Sequence, residues 1–369
     1  MIAFLALCVW VYLVFGHGRF WESLPELPPA LPAELLAVDI IVPARDEAAT
    51  IAPVIASLLA QDYAGALRVI LVDDHSTDGT AALAGSDAKL TIVTAAPKPA
   101  GWSGKLWALA QGIERSTAPV LLFADADIVH DPRHVSALVA RLVSPFGGAR
   151  VDMVSEMVRL NCESLAEQAL VPAFVYFFQM LYPFAKVNDP LSATAAAAGG
   201  TVLIRREALV RIGGINAIKA ALIDDVALAK AVKQGGPIYL GHSGLAASIR
   251  PYPKFNDIFK MVSRTAFTQL RYSAWVLAGT LLGLTLVWLV PALAVLFGHG
   301  WNFIFGLAAY ALAGVSYLPT LNRYGQSRFW ALTLPAIALF YMVATLSSAL
   351  DYWRGTGARW KNRDYGTSL

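Results

Sequence analysis

The chain has 369 residues, 57% of them hydrophobic and only 15% charged, with a net charge of +3. That balance is too apolar for an ordinary soluble protein and calls for several bilayer segments, and no nucleic-acid partner is expected. The only cysteines, Cys8 and Cys162, exclude a disulfide framework and suit a reducing, cytosolic face.

In chain order, 1–16 is uncharged but lacks the basic start and small-residue cleavage site of a signal peptide, so an uncleaved membrane anchor is expected. A linker over 17–37 holds Pro25, Pro28, Pro29 and Pro32. A catalytic domain is expected over 38–250. Short apolar runs at 38–42, 67–72, 91–95, 120–124 and 153–158 read as buried strands, with helical patterns at 48–60, 106–114 and 133–142. Strands alternating with helices predict an α/β fold: a mostly parallel twisted sheet with helices on both faces.

Two further stretches have the character of acceptor-side structure. Residues 165–184 form a helix crowded with aromatics, and 251–273 sets Phe255, Phe259 and Leu270 against Lys260, Arg264 and Arg271, as an interfacial amphipathic helix does. Beyond them 274–297, 301–318 and 329–350 are each long enough to span the bilayer, and Gly298-His299-Gly300 turns the first two into a hairpin. A basic tail occupies 351–369. Arg323 and Arg328 flank the last span while Arg354, Arg359, Lys361 and Arg363 crowd the tail, so both groups belong on the cytoplasmic side. A full crossing by 329–350 forbids that. One apolar segment must then re-enter or lie in the interface, and the charges alone do not say which.

In a parallel sheet the ligand sits at the carboxyl ends of the strands, where the polar residues of this chain collect. Pro43, Ala44 and Glu47 follow the first strand and are expected on the donor side. Asp74 closes the second strand, where its carboxylate can accept from a nucleobase N–H; Asp73, Ser76 and Asp78 fit turn chemistry. Lys105 opens a helix after a Gly-rich loop and can meet phosphate. Asp125 and Asp127 follow a buried strand; residues two apart point to one side, so the pair can hold a hard divalent cation, Mg²⁺ or Mn²⁺. Asp224-Asp225 begin a helix over 226–233, where one carboxylate is a candidate general base and a plain helix cap is the alternative. His242 is a lone histidine, read as structural before metal-binding.

Together "IIVPARDE", "LVDDHSTDGT", "GWSGKLWALAQG", "LLFADADI", "AGGTVLIRREAL" and "IDDVALAKAV" resemble the ordered motifs of family 2 glycosyltransferases with a GT-A fold, over about residues 38–272. The wording of the second, third and sixth, with "RTAFTQLRYS", is most similar to the hopene-associated glycosyltransferases of hopanoid-producing bacteria. The resemblance implies Asp74 on the base of a nucleotide sugar, Asp125 and Asp127 on a metal, Asp225 as base of an inverting displacement, and Gly199-Gly200-Thr201 at the junction of donor sugar and acceptor. Asp224 replaces the family's Glu, and Ala110 its Asn. Phe267 and Thr268 replace the Arg-Trp pair of the processive signature, which argues for transfer of one sugar.

The expectation is thus a multi-pass protein of the cell membrane, its catalytic domain facing the cytoplasm. It moves one sugar from a UDP-linked donor to a hydroxyl of a membrane lipid, implied by the resemblance to be hopanoid-related, with Asp224, Arg264 and Arg271 on the acceptor or phosphate side. A nucleotidyltransferase on a similar sheet, or a non-catalytic membrane scaffold, are the alternatives.

Overall fold

The computed structural model describes residues 1–145 and 148–355, together with the backbone of a strand pair at Arg359–Trp360 and Arg363–Asp364. The side chains of Arg359 and Arg363, and all of Lys361, lie outside the described residues. The chain divides into two compact units, one from Leu24–Asn161 and Phe184–Arg250, the other from Met1–Ser23, Cys162–Pro183 and the chain from Pro251 onward. The continuous domain expected over 38–250 is therefore interrupted, because the aromatic helix packs with the apolar helices.

Among the described residues of the first unit, nine strands form one sheet. They are β1 (Glu26–Leu27), β2 (Val38–Ala44), β3 (Leu67–Asp73), β4 (Leu90–Thr94), β5 (Val120–Ala124), β6 (Ile128–His130), β7 (Met153–Arg159), β8 (Thr201–Arg205) and β9 (Ile238–Ser248). The order is β1-β9-β7-β8-β5-β2-β3-β4, with β6 paired to β9. Only β8 and β6 run against the rest. β2 and β5 lie side by side, so the chain's direction of winding reverses between them and opens a crevice at their carboxyl ends. Every residue of β5 is buried, as expected of a strand covered on both faces.

Several boundaries move for identifiable reasons. The helix expected from residue 48 begins at Ile51, because the Glu47 carbonyl accepts from both Thr50 and Ile51 N–H at 2.9 Å in a preceding turn. The Pro-rich linker contains β1, whose preceding Pro25 carbonyl takes the His242 N–H at 2.7 Å. β6, β8 and β9 had no separate signal in the pattern.

Asp39 is a buried carboxylate inside β2. Arg68 donates to it through Nε at 3.0 Å and Nη2 at 2.8 Å, and Ser116 Oγ, Thr117 N and Ala118 N complete its shell at 2.6, 3.0 and 3.2 Å. Burial alone would raise its pKa, but these donors outweigh it and hold the carboxyl below its ordinary value. It therefore stabilises the fold above the unfolded-state pKa, and that contribution is lost as pH falls through the lower, folded value. Asp39→Ala is expected to cost about 3 kcal/mol, read as a shift in thermal unfolding; an unchanged midpoint would contradict the role.

A second buried polar chain pins β6 to β7. His134 Nε2 lies 2.5 Å from Glu156 Oε2, and its Nδ1 lies 2.8 Å from Nδ1 of His130. Burial holds His130 well below its ordinary pKa, so that ring is neutral. This fixes the strand directly after Asp127.

In the second unit, three helices among the described residues are long and apolar enough to cross a membrane: Ala274–Phe297, Trp301–Arg323 and Arg328–Trp353. The N-terminal apolar helix, Ile2–Gly16, is shorter. It lies along the others, with the Phe4 and Phe305 rings 5.2 Å apart and Trp10 Nε1 donating to the Val287 carbonyl at 2.8 Å. The aromatic helix runs Leu165–Leu181 and is capped by Ser164 and Glu167 in a reciprocal box. Tyr176 is core, its hydroxyl 2.6 Å from Ser316 Oγ and its ring 5.0 Å from Tyr317. The expected amphipathic stretch is two helices, Phe255–Ser263 and Ala266–Gln269.

Candidate active site

The loop after β4 sets up the first part of the site. Trp107 Nε1 donates to the Ala96 carbonyl at 2.8 Å, and Ser103 Oγ accepts from Leu106 N–H at 3.3 Å, starting the helix Gly104–Arg115. That places Lys105 in the first turn. Its ammonium lies 2.8 Å from Asp125 Oδ1, at the end of β5, and 3.2 Å from Asp224 Oδ2, at the start of the helix Asp224–Lys233. Burial works against the charge on Lys105, but Asp125 and Asp224 outweigh it and hold the lysine well above its ordinary pKa. So Lys105, expected on phosphate, here bridges two acids.

Asp225 stands beside this pair. Its Oδ1 accepts from Val226 N–H at 2.7 Å, and its Oδ2 faces the bare Cα of Gly199, where a Cβ would sit 3.2 Å from that oxygen and 3.5 Å from Lys105 Nζ. A side chain there would press on the Asp225 carboxylate. Burial, reinforced by the charge of Asp224, pushes the Asp225 carboxyl up to about 7. Gly200 is one step from β8, and its carbonyl accepts from Asp125 N–H at 3.2 Å.

Asp127 has different company. Past β5 the chain turns, with Ile128 N–H bonded to the Asp125 carbonyl at 3.2 Å. Asp127 Oδ2 accepts from Arg250 Nε at 2.9 Å and Ser248 Oγ at 3.1 Å. Arg250 continues to Glu47, donating from Nη2 to its two oxygens at 2.8 and 2.6 Å. Asp125 and Asp127 thus each have a cation contact of their own, while burial, and with it the charge of Asp127, still raises the pKa of Asp125.

At the ends of β2 and β3, Asp74 is buried, with its N–H on the Ala44 carbonyl at 2.8 Å. Arg45 Nη1 donates to the Asp74 carbonyl at 2.6 Å and lies 3.6 Å from its carboxylate. Pro43 and Ala44 close β2. Asp73 and Asp78 act as turn formers, accepting from Ser76 N–H at 3.3 Å and Thr80 N–H at 3.0 Å. His242 lies within β9 and not in a loop, its ring 4.9 Å from that of Phe184. Arg264 and Arg271 belong to the other unit, Arg264 at the end of Phe255–Ser263 and Arg271 in a left-handed turn at φ 53°.

Arg250 is the site residue that sequence reasoning missed. The available signal was an arginine directly before Pro251, at the exit of an apolar strand. A guanidinium that grips two carboxylates by separate edges positions Asp127. Arg250→Ala is expected to lower turnover about 10- to 100-fold, and Arg250→Lys to restore little, because an ammonium lacks the fork. Full activity in Arg250→Ala would contradict this.

Could these groups hold a divalent cation? Among the described residues no set of three or more His, Cys, Asp or Glu side chains is gathered for a metal. Mg²⁺-type sites, however, commonly use one or two carboxylates completed by substrate phosphates and water. Lys105 shows that Asp125 accepts a cation, and a single ammonium stands against Asp125, Asp224 and Asp225. The donor set fits.

A parallel sheet with a reversed β8, its crevice between β2 and β5, and acids at the carboxyl ends of β3 and β5 define a GT-A type α/β fold. A mannosyltransferase from Pyrobaculum calidifontis, solved with GDP-Man and Mn²⁺, has the same architecture at a TM-score of 0.54 and 19% identity, covering 93% of this chain and 99% of that one. Residues 39–213 match the family model Glycosyl transferase family 2. That stretch is similar to a family 2 glycosyltransferase domain, in keeping with the enzyme class expected from the motifs. Similar curated proteins are an N-acetylglucosaminyltransferase of Bradyrhizobium elkanii, 33% identical over 31% of this chain and 64% of that protein, and one of Azorhizobium caulinodans, 32% identical over 32% and 31%. The matched stretch covers less than two thirds of either relative.

Proposed function

We propose that this protein transfers a single sugar, with inversion, from a UDP-linked nucleotide donor to a hydroxyl of a membrane lipid at the cytoplasmic face. The observation that carries the reading is the placement of the Asp225 carboxyl beside Gly199 and Lys105 at the mouth of the sheet, where burial pushes it up to about 7. A base is most effective when its pKa lies near the working pH. Asp225 takes the proton of the acceptor hydroxyl as that oxygen bonds to the anomeric carbon. The bond from that carbon to the diphosphate breaks, and the nucleoside diphosphate leaves with the electron pair. Asp125 and Asp127 would hold a divalent cation, whose chemistry when bound is to neutralise the departing diphosphate. Lys105 adds a second positive charge there, and Asp74, with Pro43 and Ala44, would receive the nucleobase end.

The three apolar helices and the amphipathic stretch before them support a membrane-lipid acceptor, and a hopanoid-related lipid is the one that the motif wording favours. The curated relatives make N-acetylglucosamine the first sugar to try. Membranes containing the protein, incubated with labelled nucleotide sugars, are expected to gain label in an extractable lipid. Label confined to water-soluble products would contradict the lipid acceptor.

A further inference from the structure

The helices Ala274–Phe297 and Trp301–Arg323 are joined at Gly298-His299-Gly300 and pack antiparallel, Gly306 lying so close to Ala294 and the Pro291 carbonyl that no side chain would fit. Ser273 and Arg323 therefore mark one end of this hairpin and His299 the other. Arg328–Trp353 is also long and apolar enough to cross, yet both its ends lie at the Ser273–Arg323 end.

It starts there, since the turn after Arg323 is closed by Tyr324 N–H on the Thr320 carbonyl at 3.2 Å and Gln326 N–H on the Leu321 carbonyl at 2.9 Å. It also finishes there. Tyr352 stacks on Tyr272 at 4.5 Å, Phe267 N–H donates to Ser348 Oγ at 3.0 Å, and Ala349 is buried with Phe267 and Leu277, in the first turn of the first span. Between these ends lies a short 3-10 segment, Arg328–Thr333, and then the helix Leu334–Trp353. Where the two meet, Ala331 faces Gly314 and Tyr310 Oη donates to the Leu332 carbonyl at 2.5 Å. Gly314 precedes Arg323 by nine residues, about 14 Å of helix, roughly half of the ~30 Å hydrocarbon core. A backbone that changes course at that depth needs its carbonyls satisfied within the protein, and Tyr310 does this. Further along, Phe340 packs on Phe259 of the amphipathic helix at 5.7 Å.

We propose that Arg328–Trp353 is a re-entrant segment that dips halfway into the bilayer and returns to the face it left. With the helix Phe255–Ser263 it forms an interaction surface for a single membrane leaflet. Arg264, Arg271, Arg323, Arg328 and Arg354 then share one face, while the opposite turn carries only His299, and the positive-inside rule makes the arginine face cytoplasmic. The conflict between the two basic groups disappears. This inference goes beyond the catalytic reading, and its test needs no activity.

The test uses the full chain in sealed vesicles of both orientations, with Cys8→Ser and Cys162→Ser removing the native thiols. Single cysteines are placed by Gln326→Cys, His299→Cys and Arg354→Cys and labelled with a membrane-impermeant maleimide. Gln326→Cys and Arg354→Cys are expected to label from the same side, and His299→Cys from the other. Arg354→Cys labelling together with His299→Cys would overturn the proposal. Should the cysteine variants fail to insert, a protease-cleavable tag on the C-terminus of the otherwise unaltered chain decides the matter. Cleavage from the cytoplasmic face supports re-entry, and cleavage from the opposite face overturns it.

Discussion

Replacing Asp225 by Asn is expected to lower turnover by about 10³-fold, within the range general-base catalysis contributes, while nucleotide-sugar binding persists. Asn keeps the shape and can still meet Val226 N–H, but it cannot take a proton. In the native enzyme kcat/KM should rise with pH through about 7, where burial and the charge of Asp224 place the Asp225 carboxyl. The same shift has a stability consequence of opposite sign to that of Asp39. A carboxyl raised above its unfolded value, ordinarily about 4, holds a proton in the folded state that the unfolded chain has released. Stability should therefore decline as pH rises from about 4 to about 7, and Asp225→Asn should flatten that decline. A variant that is inactive yet keeps the native stability profile would point to damage elsewhere in the site.

Asp125→Ala is expected to have a comparable effect, about 10³-fold, because charge neutralisation of a leaving diphosphate accounts for several kcal/mol of barrier. Its signature differs. Stimulation by Mg²⁺ or Mn²⁺ should vanish together with activity, and the pH limb should move down, since the Asp125 charge is one of those raising Asp225. Lys105 would keep only Asp224 as its direct partner. Asp127→Ala should also remove the response to metal, and in addition leave Arg250 anchored by Glu47 alone among the partners described above. Undiminished stimulation by Mn²⁺ in Asp125→Ala would remove the metal role from this position.

The parts of the site that could be read from the sequence are those carried by local pattern. β2, β3 and β5 are mainly apolar runs followed by acids, so pattern alone puts Asp74 and Asp125 at strand ends. The Gly-rich loop before Lys105 announced a helix start. What stayed hidden depends on residues far apart in the chain. β8 and β9 pair with strands 45 or more residues earlier in the chain, a partnership that periodicity does not encode. Arg250 meets Glu47 across 203 positions. Asp125-Ala126-Asp127 lies beyond β5, in the turn that leads to β6, so the separate partners of its two carboxylates, Lys105 and Arg250, are not legible from strand alternation. The third apolar span shows the same limit, since its length and composition permit a crossing and only contacts distant in sequence, such as Tyr352 on Tyr272 and Ser348 on Phe267, bear on where it ends.

The account's central claim is that this chain moves a sugar from a nucleotide with Asp225 as base. The most direct test is the nucleotide released when membranes bearing the protein turn over. Turnover should release nucleoside diphosphate, equimolar with a glycosylated product of inverted anomeric configuration, and none from Asp225→Asn. Release of pyrophosphate, or a product that retains the donor's configuration, would contradict it.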